Sequence, residues 1–169
     1  MPTIALSACT ALLAGSAALA AQAGTVEVSY DPAAAYADAG ESPREREANL
    51  AALADTLKAL GARLPGADAV LRVQLIDVDL AGTVRPVGAT GQPLRTLRGS
   101  ADWPQIRLRY TLVEGGIERR RGEESLADMN YSWRNPGYGA SPSEPLRHEK
   151  RLLSDWFEAR FGSASAPSQ

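Results

Sequence analysis

The stretch from Ala69 to Leu80, AVLRVQLIDVDL, constrains the fold more than any other part of the chain. Seven of its twelve residues are Val, Leu or Ile, and it holds neither Gly nor Pro. Pro65-Gly66 precedes it and Gly82 follows. Such a run reads as a central strand, because aliphatic and β-branched side chains pack well on a pleated surface. Side chains alternate faces along a strand, so Leu71, Val73 and Leu75 share one face and Arg72 and Gln74 the other. The phase then flips: Ile76, Val78 and Leu80 are apolar, while Asp77 and Asp79 fall where the apolar residues were. A slip of one residue is what a β-bulge produces, and a bulge near Leu75-Ile76 is predicted. A strand covered on both faces is the alternative.

The remaining elements arrange themselves around this strand. Thr25–Tyr30 (TVEVSY) alternates Val26, Val28 and Tyr30 with polar residues, as a half-buried strand does. After a loop from Asp31 to Glu41, Ser42-Pro43-Arg44-Glu45 forms a capping box with Pro at the first helical position. Leu50, Leu53, Leu57, Leu60 and Leu64 then repeat at spacings of 3, 4, 3 and 4, one apolar stripe on a helix that Gly61 and Pro65-Gly66 end. The stripe spans too few heptads to read as a coiled-coil seam. Residues 81–104 hold four Gly, three Pro and the arginines Arg85, Arg95 and Arg98. A loop of this length is functional or disordered, with room for a weak strand pair. Gln105–Val113 (QIRLRYTLV) alternates cleanly, as a strand with one buried side does. Gly115-Gly116 reads as a hairpin turn, and Ile117–Ser125 returns as a charged edge strand. A second loop, 126–142, is rich in aromatic and polar residues. Ser141-Pro-x-Glu144 then opens a last helix whose apolar face is Leu146, Leu153, Trp156, Phe157 and Phe161. The predicted fold is α+β: a two-layer sandwich of a small, mostly antiparallel sheet with two helices on one face, in the order β-α-β-β-β-α.

Residues 1–23 are a different material. The first 24 residues carry no charged side chain and are mostly Ala and Leu, and Ala21-Gln22-Ala23 fits the small-residue cleavage rule. A signal peptide cut after Ala23 is expected, although the basic residue usual near its start is missing, as a start placed downstream of the true one would explain. The run is too short and too rich in Ala for a membrane span. The single cysteine, Cys9, follows Leu6-Ser7-Ala8 in the manner of a lipid-anchor motif, but only five residues precede that motif, and ordinary cleavage is the preferred reading. Cleavage leaves no thiol, hence neither a disulfide framework nor thiolate chemistry. Export to the periplasm of a Gram-negative bacterium fits this pattern. One domain is expected over 24–162, followed by a disordered tail over 163–169.

The 169 residues carry a net charge of −2, which gives no field for nucleic acid. One histidine, His148, sits among charges and reads as solvated; with no cysteine after cleavage, a His-rich zinc site is excluded. No Gly-x-Ser-x-Gly or Gly-rich phosphate loop exists. Asp77-Val78-Asp79 opens like a calcium loop but fails at its fifth position, Ala81, and its twelfth, Gly88. The bland reading of Asp77 and Asp79 is a ladder of ion pairs with Arg107 and Arg109 on the neighbouring strand, each worth about 0–1 kcal/mol. Tyr131, Trp133 and Tyr138, mixed with Asp128, Asn130 and Arg134, have the chemistry of an exposed peptide- or sugar-binding surface; the competing reading is that these rings close the core.

Five stretches taken together are familiar: Ser42–Leu50, Asp77–Gly82, Leu97–Pro104, Asp128–Tyr131 and Pro145–Phe157. The chain from about Thr25 to Phe161 resembles domain-of-unknown-function family 3016, small exported bacterial proteins. The resemblance implies an exported single-domain protein and brings no activity, cofactor or catalytic residue. Its motifs include Asp77, Asp79, Trp103, Asp128, Asn130 and Tyr131, which ranks these as site candidates.

The reading that follows is a non-enzymatic binding or accessory protein of the cell envelope, with no catalytic residue and no cofactor. Its expected ligand surface is Trp103, Asp128, Asn130, Tyr131, Trp133, Arg134 and Tyr138, with Arg95 and Arg98 adding charge. The partner would be an envelope protein or a small ligand. One alternative is a hydrolase or metal-dependent enzyme using Asp77, Asp79 and Asp128, with Asp77 and Asp79 as the metal ligands. Another is a structural subunit of an envelope assembly, which predicts a large exposed apolar patch.

Overall fold

The computed structural model describes residues 24–88, 91–99, 101–133 and 144–162. The predicted signal peptide and tail lie outside them. Strand β1 (Thr25–Ser29) leads through a loop to helix α1 (Pro43–Leu60). There Ser42 accepts the Glu45 N–H at 3.2 Å, as the predicted capping box requires, while Glu45 Oε2 reaches back to the N–H of Glu41, one residue before the cap. A short 3-10 turn over Gly61–Arg63 precedes β2 (Ala69–Asp79). β3 (Thr83–Val87) and β4 (Gln92–Thr96) form a hairpin of their own within the first long loop. β5 (Gln105–Glu114), β6 (Ile117–Ala127) and α2 (Arg147–Phe161) complete the order.

The main sheet runs β1-β2-β5-β6. β1 lies parallel to β2, with α1 as the crossover, and the other two pairings are antiparallel. The architecture is α+β, as predicted, with the β3-β4 hairpin added to the expected order. β2 slips register between Leu75 and Asp77, which makes Ile76 the bulged residue. The slip keeps Leu71, Val73 and Leu75 on the same buried side as Val78 and Leu80. Gly115 and Gly116 both have positive φ, 58° and 78°, as the tight β5-β6 turn requires.

Both helices cover one face of the sheet. Leu50, Leu53 and Leu57 of α1 and Leu153 and Phe157 of α2 are fully buried against Leu71, Val73, Ile106 and Leu108. Tyr110, Trp156 and Phe161 meet edge to face at 5.4–5.7 Å, an arrangement that suits ring quadrupoles. The opposite face is solvated and its charges pair locally: Arg72 with Glu27 at 2.9 Å, Arg109 with Glu123 at 2.8 Å. The expected ladder of Asp77 and Asp79 with Arg107 and Arg109 does not form. Asp77 stands opposite Arg107 in register, but its Oδ1 accepts the N–H groups of Ala37 and Val78 at 2.9 and 3.0 Å. Asp79 Oδ2 accepts from Gln105 at 3.4 Å. Backbone donors at the bulge outcompete exposed guanidiniums because they are already fixed in place.

α2 begins at Arg147, not behind the Ser141 cap motif; Ser141 itself lies outside the described residues. Its N-terminal flanking residue is Leu146, in the left-handed region at φ 57° with no side-chain cap. Replacing the fully buried Leu57 with Ala should destabilise the fold by about 2–5 kcal/mol, read from urea unfolding; a loss under 1 kcal/mol would mean that α1 does not form the core.

Candidate functional site

Three connections converge at the end of the sheet where β2 terminates. The first is the segment before α1. β1 pairs only with Val70 to Gln74 of β2, and Asp38 takes over the freed edge beyond the bulge. Its N–H donates to the Val78 carbonyl at 3.0 Å, and its own carbonyl accepts from Leu80 N–H at 2.9 Å. The second is the β3-β4 hairpin, which Gly82 starts at φ 87°; a Cβ there would sit 2.7 Å from the Thr96 carbonyl oxygen. The hairpin carries Arg95 back onto Asp38, where Nη1 and Nη2 donate to the two carboxylate oxygens at 2.9 and 3.1 Å. Arg95 also donates to the Gly82 carbonyl at 3.2 Å. Burial disfavours its charge, but Asp38 outweighs burial and holds its pKa above the ordinary value.

The third connection runs from β6 to α2. Asp102, just before β5, accepts the N–H groups of Arg98 and Gly99 at 2.7 and 2.9 Å and the Tyr131 hydroxyl at 2.7 Å. Burial alone would raise its pKa, yet these donors hold it below the usual carboxylate range. Tyr131 is 2% exposed. Its hydroxyl also accepts from Gly99 N–H, and its ring meets that of His148 edge to face at 4.7 Å. Burial, reinforced by the hydrogen bond to Asp102, pushes the phenol up to about 12.

Between these connections lies a cleft of about 390 Å³, lined among others by Leu80, Arg95, Leu97, Leu146, His148 and Glu149. Such a volume lies within the range of small-ligand sites. At its floor is Glu149, in the first turn of α2 and 3% exposed. Its Oε1 accepts the Ala81 N–H at 2.7 Å. Burial, more than any neighbouring charge, raises its pKa; Arg95 acts to lower it and Asp38 to raise it. His148 is half-buried rather than solvated, and burial followed by the adjacent Arg147 lowers its pKa.

The residues singled out from sequence separate here. Arg95 lines the cleft, and Arg98 anchors the loop behind it through its backbone. Trp103 is half-buried beside Asp102, and Tyr131 is a core ring, not an exposed anchor, because its hydroxyl closes the Asp102 network. Asp128 Oδ1 accepts the Asn130 N–H in a local turn that ends at Trp133, which is 87% exposed. Arg134 and Tyr138 lie outside the described residues. Asp77, Asp79 and Asp128 do not form one pocket. Asp79 and Ala127 flank Gln105 on either side, two strand spacings or roughly 10 Å apart. Burial, then Asp38 and Asp77, raises the pKa of Asp79. Among the described residues, no group of three or more His, Cys, Asp or Glu is placed to hold a metal ion.

Glu149 in the cleft and Asp38, which holds the cleft residue Arg95, are not among the residues singled out from sequence. Glu149 does leave a trace: it precedes Leu153 by four residues and so lies on the helix stripe of Leu153, Trp156 and Phe157. A charged residue in an apolar stripe is a signal of an enforced role. Asp38 leaves none.

The sequence matches a known family over residues 24–159, described as "Protein of unknown function (DUF3016)". The chain belongs to that family. No curated protein and no solved structure is detectably similar to it. In this DUF3016 member the motif residues Trp103 and Tyr131 sit around the clamp at Asp102, and the motif of the last helix carries Glu149.

Removing the Tyr131 hydroxyl (Tyr131→Phe) strips a charge-assisted hydrogen bond from Asp102 and should cost about 1.5–3 kcal/mol. Trp133→Ala should stay within about 0.5 kcal/mol. Urea unfolding checks both, and equal losses would contradict the difference in burial. One tyrosine should also ionise only near pH 12 in a 295 nm titration and vanish from it in Tyr131→Phe. Glu149 gives a pH test. With its folded pKa raised above 4.5, it favours folding while protonated, and that contribution is lost as pH rises through the raised value. Relative to wild type, Glu149→Gln should therefore gain stability as pH rises above 4.5. Parallel pH curves would rule this out.

Proposed function

We propose that this DUF3016 protein is exported to the periplasm and binds a partner or small ligand without transforming it, using the cleft where its three long connections meet. The observation that carries the reading is that these connections are tied down at the cleft. Asp38–Arg95 ties the first connection to the second, Asp102–Tyr131 the second to the third, and Ala81–Glu149 the second to α2, through polar contacts of 2.7–3.1 Å. Long connections held in one geometry lose little entropy on binding, which is the advantage of a preformed site. The apolar lining from Leu80, Leu97, Pro145 and Leu146, set against a few charged groups, suits a small organic ligand.

A thermal-shift screen of the purified protein against peptidoglycan fragments, amines, amino acids, sugars, nucleotides and divalent metals should find a compound that raises the melting temperature by mass action. Leu97 lines the cleft and is 46% exposed, so Leu97→Trp should fill it without unfolding the protein. The shift should disappear in that variant. A ligand whose shift survives Leu97→Trp would place binding elsewhere and overturn the reading, and turnover of the compound would overturn its non-enzymatic part.

A further inference from the structure

We infer that the cleft recognises a primary ammonium group, with Glu149 as its anchor. The inference rests on the binding reading above and names the ligand's chemistry.

Glu149 is almost wholly enclosed yet lines the cleft. One oxygen is committed to the Ala81 N–H. Beyond that amide and the residue's own backbone N–H, no donor among the described residues reaches the carboxylate, and no ion pair forms to it there. The nearest influential cation, Arg95, has both of its terminal nitrogens on Asp38. A carboxylate enclosed without a counter-charge is costly to ionise, so a cation that arrives at it gains what the fold has left unmade. Because the Ala81 amide and the residue's own N–H already occupy part of the carboxylate, Glu149 cannot present two open oxygens to a partner. That favours the compact three-donor ammonium over a guanidinium, which gains most from a bidentate carboxylate.

The surroundings agree. Leu80, Leu97 and Leu146 supply apolar wall for a methylene stem, and Glu45 adds negative charge to the lining. Glu144 is paired with Lys150 at 2.7 Å, and Asp38 neutralises Arg95. Arg147 is the opposing charge at the rim, with its Nε donating to the His148 ring at 3.1 Å.

The source of the ammonium can be a free small amine or a lysine-type side chain on a peptide. Isothermal titration of the purified protein with cadaverine and, separately, with Nα-acetyl-lysine methylamide distinguishes them, with glutarate as the anionic control. At least one amine should bind and glutarate should not; whichever binds tighter names the source. Glu149→Gln should weaken that binding about tenfold or more. Should this variant fold poorly, the wild-type Ala81 amide resonance, which reports on the Glu149 carboxylate, should move on saturation with the amine. Failure of both amines to bind, binding undiminished in Glu149→Gln, or a stationary Ala81 resonance would overturn the ammonium assignment. If another compound still gave a shift abolished by Leu97→Trp, the cleft would stand as a site and only its ligand class would fall.

Discussion

Everything at the working end of this molecule depends on a single extra residue in β2. With Ile76 bulged out of register, the strand continues with Val78 and Leu80 still facing the helices. Without the slip those two side chains would turn to solvent and the two aspartates would enter the core. Burying two unpaired carboxylates costs several kcal/mol each, while a bulge costs little beyond a lost ladder position. Past the bulge Asp77 accepts the Val78 N–H along with that of Ala37. Asp38 can then bridge to β2 where β1 has already departed. The irregularity in the strand thus creates the docking edge for the segment that leads into α1.

From that edge the polar contacts propagate outward. Asp38 holds Arg95 and with it the β3-β4 hairpin, which shares no ladder with the main sheet. Ala81, the second residue past the end of β2, meets Glu149 and so fixes the start of α2. Each link joins a connection to an element that the hydrophobic core already immobilises, so ordering it costs less entropy than ordering a free loop. The Asp38–Arg95 pair is about a quarter exposed at each side chain, 25% and 23%. It is therefore shielded better than the pairs on the open sheet face, where solvent screening leaves little net gain.

Periodicity made the framework legible. The stripe of Leu50, Leu53 and Leu57, the phase slip at Ile76, the Ser42 capping box and the Gly115-Gly116 turn are local patterns, each with one dominant structural meaning. The hairpin at β3-β4 was harder to read, because Pro86, Pro93 and the exposed Val87 and Leu94 do not alternate as a half-buried strand does. The site was less legible still. Exposed-looking aromatic residues drew attention to Tyr131, but whether a loop tyrosine is an anchor or a core ring depends on a partner 29 positions away, Asp102. Asp38 and Arg95 are separated by 57 positions, and no short-range pattern couples them. Local chemistry can nominate residue types for a site, but not which charges have already been neutralised by others.

That last distinction decides where a ligand could act. Across the open sheet face, arginines and glutamates satisfy one another in neighbouring pairs, so a charged ligand there would have to break contacts as good as those it makes. Asp102 is saturated by two backbone amides and a phenol. Asp38 is saturated by a bidentate guanidinium. Glu149 differs: it is enclosed enough that its charge is penalised, and no cation among the described residues pairs with it. A binding site needs interaction energy that folding has not already spent. Among the carboxylates around this cleft, Glu149 is the one that holds such a reserve in a place a small molecule can reach.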